Sequence, residues 1–118
     1  MNNQDIKIYK DNIMPIDITI REAQPKTKKR FTAIFRLHKG GKVIKITNFG
    51  QRNPKFGTYI DHGDKEIRKN YIARHEVREK KFYKNPQRAS TLSRYILWGP
   101  HKTLKKNIEF YKEKFNLT

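Results

Sequence analysis

The chain has 118 residues, 28 of them Lys or Arg against 11 Asp or Glu, and no cysteine. This size fits one small domain, and a hydrophobic share of 35% beside 33% charged excludes a large multi-layer enzyme, while 14 Phe, Trp and Tyr residues exclude a wholly disordered basic tail. The net charge of +17 makes a polyanion the expected partner, and the missing cysteines exclude disulfides, thiol catalysis and Cys-ligated zinc, which suits an intracellular or virus-internal setting.

Residues 1–24 form a near-neutral arm, where Lys7, Lys10 and Arg21 face Asp5, Asp11, Asp17 and Glu22 for a net −1, leaving +18 on residues 25–118. Such asymmetry marks two jobs in one chain. Within the arm, Ile6, Ile8 and Tyr9, then Ile13, Ile16, Ile18 and Ile20, read as two short strands able to pair with the main sheet or with another protein. The arm begins Asn2-Asn3-Gln4-Asp5, with none of the regions of a secretory signal. Residues 25–30 then form a basic linker in which Lys28, Lys29 and Arg30 are candidate phosphate contacts.

A basic α+β domain is expected over residues 31–118, a small antiparallel hairpin sheet packed against two or three C-terminal α-helices. The alternating runs Phe31 to Leu37 and Val43 to Thr47 flank Gly40-Gly41, a pair suited to the positive φ angles of a tight turn. A turn centred there places Leu37 opposite Ile44 and Phe35 opposite Ile46, with Phe31 and Ala33 on the same apolar side. Arg36 and Lys45 then face each other on the other side, a like-charged pair that an anion would relieve.

Residues 48–64, with Gly50, Pro54, Gly57 and Gly63, read as an irregular loop carrying Arg52 and a short strand at Thr58 to Ile60. Asp64 is placed to cap a helix running to about Lys81, with Ile67, Tyr71, Ile72, His75 and Phe82 on one arc. Lys69, Arg74, Arg78, Lys80 and Lys81 surround that arc and complete the expected nucleic-acid contacts. After a basic turn at Lys84 to Ala89, Ser90 or Thr91 is expected to cap a short helix holding Leu92, Tyr95, Ile96 and Trp98, stopped by Gly99-Pro100. A last helix from about Lys102 to Phe115 aligns Leu104, Ile108, Tyr111 and Phe115 as a core stripe.

Chemistry beyond charge is sparsely signalled. His38, His62, His75 and His101 never pair at the spacing that puts two ligands on one helix face, so no metal or cofactor is expected. Asp61, His62 and Asp64 form the one dense acid and base group, the raw material of a metal-dependent nuclease, but they are read first as ordinary turn and cap residues of a structural loop. No phosphate-cradling glycine motif or nucleophile elbow is present, so no catalytic residue is expected. The longest apolar run, Tyr95-Ile96-Leu97-Trp98, is too short for a transmembrane segment.

The segments Asn48-Phe49-Gly50, Tyr71-Ile72-Ala73-Arg74-His75, Arg78-Glu79 and Leu92-Ser93-Arg94-Tyr95-Ile96-Leu97-Trp98 follow one another in an order that resembles a family of small basic proteins of nucleocytoplasmic large DNA viruses. The resemblance covers about residues 31–117 and departs from the pattern at Lys80-Lys81-Phe82 and Gly99-Pro100-His101. It implies a viral, virion-associated protein, present in the host cytoplasm or nucleus during infection, and it carries no catalytic residues across.

Charge and resemblance together lead to an expected function: a non-catalytic viral nucleic-acid-binding protein that neutralises or packages DNA with little sequence preference. The alternative is a minor capsid or cement protein whose residues 1–24 anchor to capsid proteins by adding a strand to a neighbour's sheet.

Overall fold

A computed structural model describes residues 15–118. The first strand expected in the arm, at Ile6 to Tyr9, lies outside the described residues. Three strands follow, β1 Asp17–Glu22, β2 Lys29–Arg36 and β3 Val43–Gln51, in one antiparallel sheet of order β1-β2-β3. The helices come after: α1 Tyr59–His62, α2 Lys65–Glu79, α3 Ala89–Leu92 continuing as a π-helical turn Ser93–Leu97, and α4 Leu104–Phe115. This is the α+β architecture expected, with the sheet enlarged by β1. Residues 17–22 of the arm are thus an edge strand of the domain, bonded to β2 and clamped from the other side by Thr118, which donates its N–H to Ile16 O (3.0 Å) and accepts from Ile18 N–H (2.9 Å).

One sheet face forms the core. Ile18, Phe31, Ala33, Phe35 and Phe49 meet Leu92, Ile96, Leu97 and Trp98 from α3 and its π turn, and Tyr111 from α4. The α4 stripe read from the sequence is therefore packed inward, and the Tyr111 hydroxyl donates to Pro86 O, satisfying a polar atom that burial would otherwise leave costly. Asn107 is 0% exposed and ties the helices together: its amide donates to Ile96 O and His101 O and its Oδ1 accepts from His101 N–H, each at 2.8 Å. Gly99 passes so close to this knot that a Cβ would lie 2.1 Å from Tyr95 O, so no larger residue fits there.

The hairpin register departs from the expected one. Phe35 faces Lys45 instead of Ile46, Ile34 faces Ile46, and Arg36 faces Val43 instead of Lys45. The turn is asymmetric, closed by Leu37 N–H to Lys42 O (2.9 Å) and Gly41 N–H to His38 O (2.8 Å), with only Gly40 of the two glycines at positive φ. A bulge then leaves Ile44 as the extra residue of β3, and each side chain beyond it changes face. Thr47 and Phe49 supply the β3 share of the inner face, while Ile46 stands 57% exposed.

Local signals explain other departures. Lys29 and Arg30 belong to β2, and the linker narrows to a 3-10 turn at Pro25–Thr27. Thr58 to Ile60 is not a strand, because Asp61 Oδ2 accepts from Thr58 N–H (2.7 Å) and Thr58 Oγ1 (2.8 Å) and winds the chain into α1. Neither Ser90 nor Thr91 caps α3; Arg88 holds the cap position and the Thr91 hydroxyl donates to Phe82 O (2.9 Å). Asp64 does cap α2, its Oδ1 accepting from Glu66 N–H (2.9 Å) and Ile67 N–H (3.1 Å).

Candidate nucleic-acid interface

Helix α2 contains no fully buried residue, an arrangement that leaves most of its circumference for contacts outside the domain. It is held against the body by a short ladder of rings. Tyr71 lies between His75, with centroids 3.8 Å apart, and Trp98, at 3.9 Å and an interplanar angle of 5°. The His75 ring is oriented by its Nδ1, which donates to Tyr71 O at 2.9 Å. Burial pushes the Tyr71 hydroxyl pKa well above its ordinary value, so it stays neutral in the stack.

Two guanidinium groups secure the other end of this contact. The π turn closes through Trp98 N–H to Ser93 O (3.0 Å) and leaves carbonyls at the helix end without partners in the chain's own helix. Arg68 Nε donates to Trp98 O (3.2 Å) and Gly99 O (2.9 Å), and Arg94 Nη1 donates to Trp98 O (3.1 Å). Positive side chains also oppose the partial negative charge of a helix C-terminus. Burial, with the nearby Arg94 charge, lowers the Arg68 pKa from its ordinary value, and the group still carries its charge at neutral pH.

The expected contact residues divide into free and engaged sets. On α2, Arg74 and Arg78 are one turn apart on the same face and exposed, and Lys69 is exposed on another face. Lys80 and Lys81 are exposed in the 3-10 turn Lys80–Phe82 that extends α2. Lys28, Lys29 and Lys45 are also exposed. Arg36 sits at the hairpin end of the sheet, half-buried.

Arg30 and Arg52 are used within the domain. Arg30 forms a two-pronged pair with Asp61, Nη1 to Oδ2 at 2.7 Å and Nη2 to Oδ1 at 2.6 Å. Arg52 Nη2 donates to Ala23 O at 2.8 Å. These two are braces of the β1, β2 and α1 corner rather than free cations.

The acid group is engaged as well. The Arg30 guanidinium holds the Asp61 carboxyl well below the usual carboxylate range, with Thr58 bonds adding to the effect against the opposing influence of burial. Asp64 is occupied in capping α2, and His62 Nδ1 accepts from Asp64 N–H (2.9 Å) while its ring packs 5.6 Å from that of Trp98. Among the described residues no three His, Asp or Glu side chains are grouped to hold a metal.

The segments singled out in the sequence converge. Gly50 from β3, Tyr71, Arg74 and His75 from α2, and Ser93 and Trp98 from the α3 end line one cleft of about 380 Å³. Lys55 and Phe56 of the loop before α1 form its lip, and no carboxylate lines it. The expected contacts do not include Arg68, Arg94 or Lys55, and from the sequence Phe56 is assigned no role. A signal for Phe56 existed, since an aromatic residue between Pro54 and Gly57 has no periodic neighbours to bury it.

A model of a family of unknown function (DUF5754) matches residues 22–75, a span that runs from the end of β1 to His75 and stops before Trp98. No curated protein and no solved structure matches the chain. Among the described residues no helix is long and apolar enough to cross a membrane.

Proposed function

We propose that the domain binds nucleic acid without catalysis, holding phosphates on a basic surface with little sequence preference. The supporting observation is uncompensated charge. Setting aside Lys7, Lys10, Asp5 and Asp11, the described residues hold 26 Lys and Arg against 9 Asp and Glu, yet a single ion pair, Arg30 with Asp61, forms among them. A surface of that kind repels itself and gains most from a polyanion that releases its counterions on binding. The resemblance to small basic proteins of large DNA viruses makes virion DNA the first polyanion to test.

The rival function, a capsid cement protein anchored through residues 1–24, would use the outer edge of β1 or the residues before it; Asp17–Glu22 pairs with β2 on its inner edge and meets Thr118 only near its start. Arg74 and Arg78 are the contacts on which the nucleic-acid proposal depends most, because they are adjacent, exposed and unengaged by carboxylates among the described residues. In a fluorescence anisotropy titration with a labelled duplex, the double variant Arg74→Gln/Arg78→Gln is expected to flatten the plot of log affinity against log salt by about 2 units. An unchanged slope and affinity would remove α2 from the interface.

A further inference from the structure

We infer that the cleft between the loop before α1, helix α2 and the end of α3 receives an unpaired nucleotide, its base against Phe56 and its phosphate against Arg74 and Lys55. This rests on the nucleic-acid proposal above and narrows it to single strands. Phe56 is the starting point, for a ring 75% exposed loses the free energy that burial would supply, unless a partner covers it. Its position is set by a tight turn: Gly57 N–H donates to Pro54 O (3.2 Å), Asn53 and Gly57 both take positive φ, and a Cβ on Gly57 would lie 3.0 Å from that of Asp61. The loop thus presents the ring from a fixed base.

The rest of the cleft suits a nucleotide. Its lining includes the nearly buried Leu97 and Trp98 and the His75 ring that ends the Tyr71 stack, an apolar and aromatic surface beside which a base can pack. The Lys55 Nζ lies 5.2 Å from the Phe56 ring centroid and Arg74 also lines the cleft, so two cations stand among its aromatic residues. Other hollows of the surface include carboxylates: Glu79 beside β3, Glu22 and Asp61 near Arg52, and Asp17 at β1. Among the described residues this cleft has none in its lining. Bases inside a duplex are stacked on one another and cannot offer their faces, so a cleft that takes a base selects unpaired strands.

The test uses the full chain with two labelled probes, a 20-nucleotide oligo(dT) and a 20-base-pair duplex, at one salt concentration. Phe56→Ala is expected to weaken oligo(dT) binding by about tenfold, the scale of one lost base-aromatic stack, and to leave duplex affinity within about twofold. Because Phe56 is exposed, the variant keeps its core. Trp98 is the chain's one tryptophan, so its emission is expected to change with oligo(dT) and to lose that response in the variant. Unchanged oligo(dT) affinity, or equal losses on both probes, overturns the base cleft while the phosphate surface stands; failure of the wild-type chain to bind either probe overturns both.

Discussion

Arg30 shows how a cation's role depends on a neighbour far away in sequence. Placed after Lys28 and Lys29 it reads as part of a phosphate-binding cluster, but Asp61, 31 positions later, claims both of its terminal nitrogens. Spacing alone carries no trace of such a pair. The Asp61 pKa is lowered from an ordinary 3.8, so the unfolded chain takes up the proton first as pH falls. The pair's stabilisation is therefore complete above about pH 5 and is lost as pH drops through the lowered folded value. Both side chains are partly exposed, 25% and 35%, which limits the pair to about 1 kcal/mol. Asp61→Asn is expected to cost about that much in urea unfolding at pH 7, with the difference from wild type shrinking in acid; a cost that grows in acid would contradict the assignment.

At the scale of elements, helices were more legible than strand pairing. The Asp64 cap, the α4 stripe and the stop at Gly99-Pro100 are local signals, and each appears where the residues announce it. The hairpin register was hidden because a bulged Ile44 and a turn reaching from Leu37 to Lys42 shift a period of two by one residue, and neither feature has a composition of its own. The π turn ending at Trp98 and the knot at Asn107 were equally silent, since a lone Asn in an amphipathic helix looks like a surface residue. Asn107 is nonetheless expected to be the costlier site to change. Asn107→Ala strands the buried Ile96 carbonyl and the partly buried His101 carbonyl and N–H and should destabilise by about 3 kcal/mol, whereas Asp64→Ala removes one exposed cap for about 1 kcal/mol. Chemical denaturation of both variants checks the order, and an Asp64 cost equal to or above that of Asn107 would contradict it.

For the whole molecule, the basic body read from residue counts has a physical form: a sheet and two helices enclose a small core, and most of the described cations are left at the surface without a carboxylate partner among the described residues. The cleft was only half visible, because its parts come from β3, a loop, α2 and the end of α3, and only folding brings Gly50, His75 and Trp98 together. Self-repulsion of this surface is screened as the Debye length falls from about 10 Å at 0.1 M to about 3 Å at 1 M salt. The melting temperature is accordingly expected to rise by several degrees over that range, as about 1 kcal/mol moves a domain of this size by about 4–8 °C. A melting temperature that falls with salt would mean that attractive pairs outweigh repulsion.

The most direct measurement of the central claim is the affinity of the full chain for duplex DNA across salt concentration. Binding at low salt is expected to weaken linearly in log affinity against log salt, with a slope of about −3 or steeper, the signature of three or more phosphates neutralised. No binding at 50 mM salt, or an affinity indifferent to salt, would contradict a phosphate-holding surface.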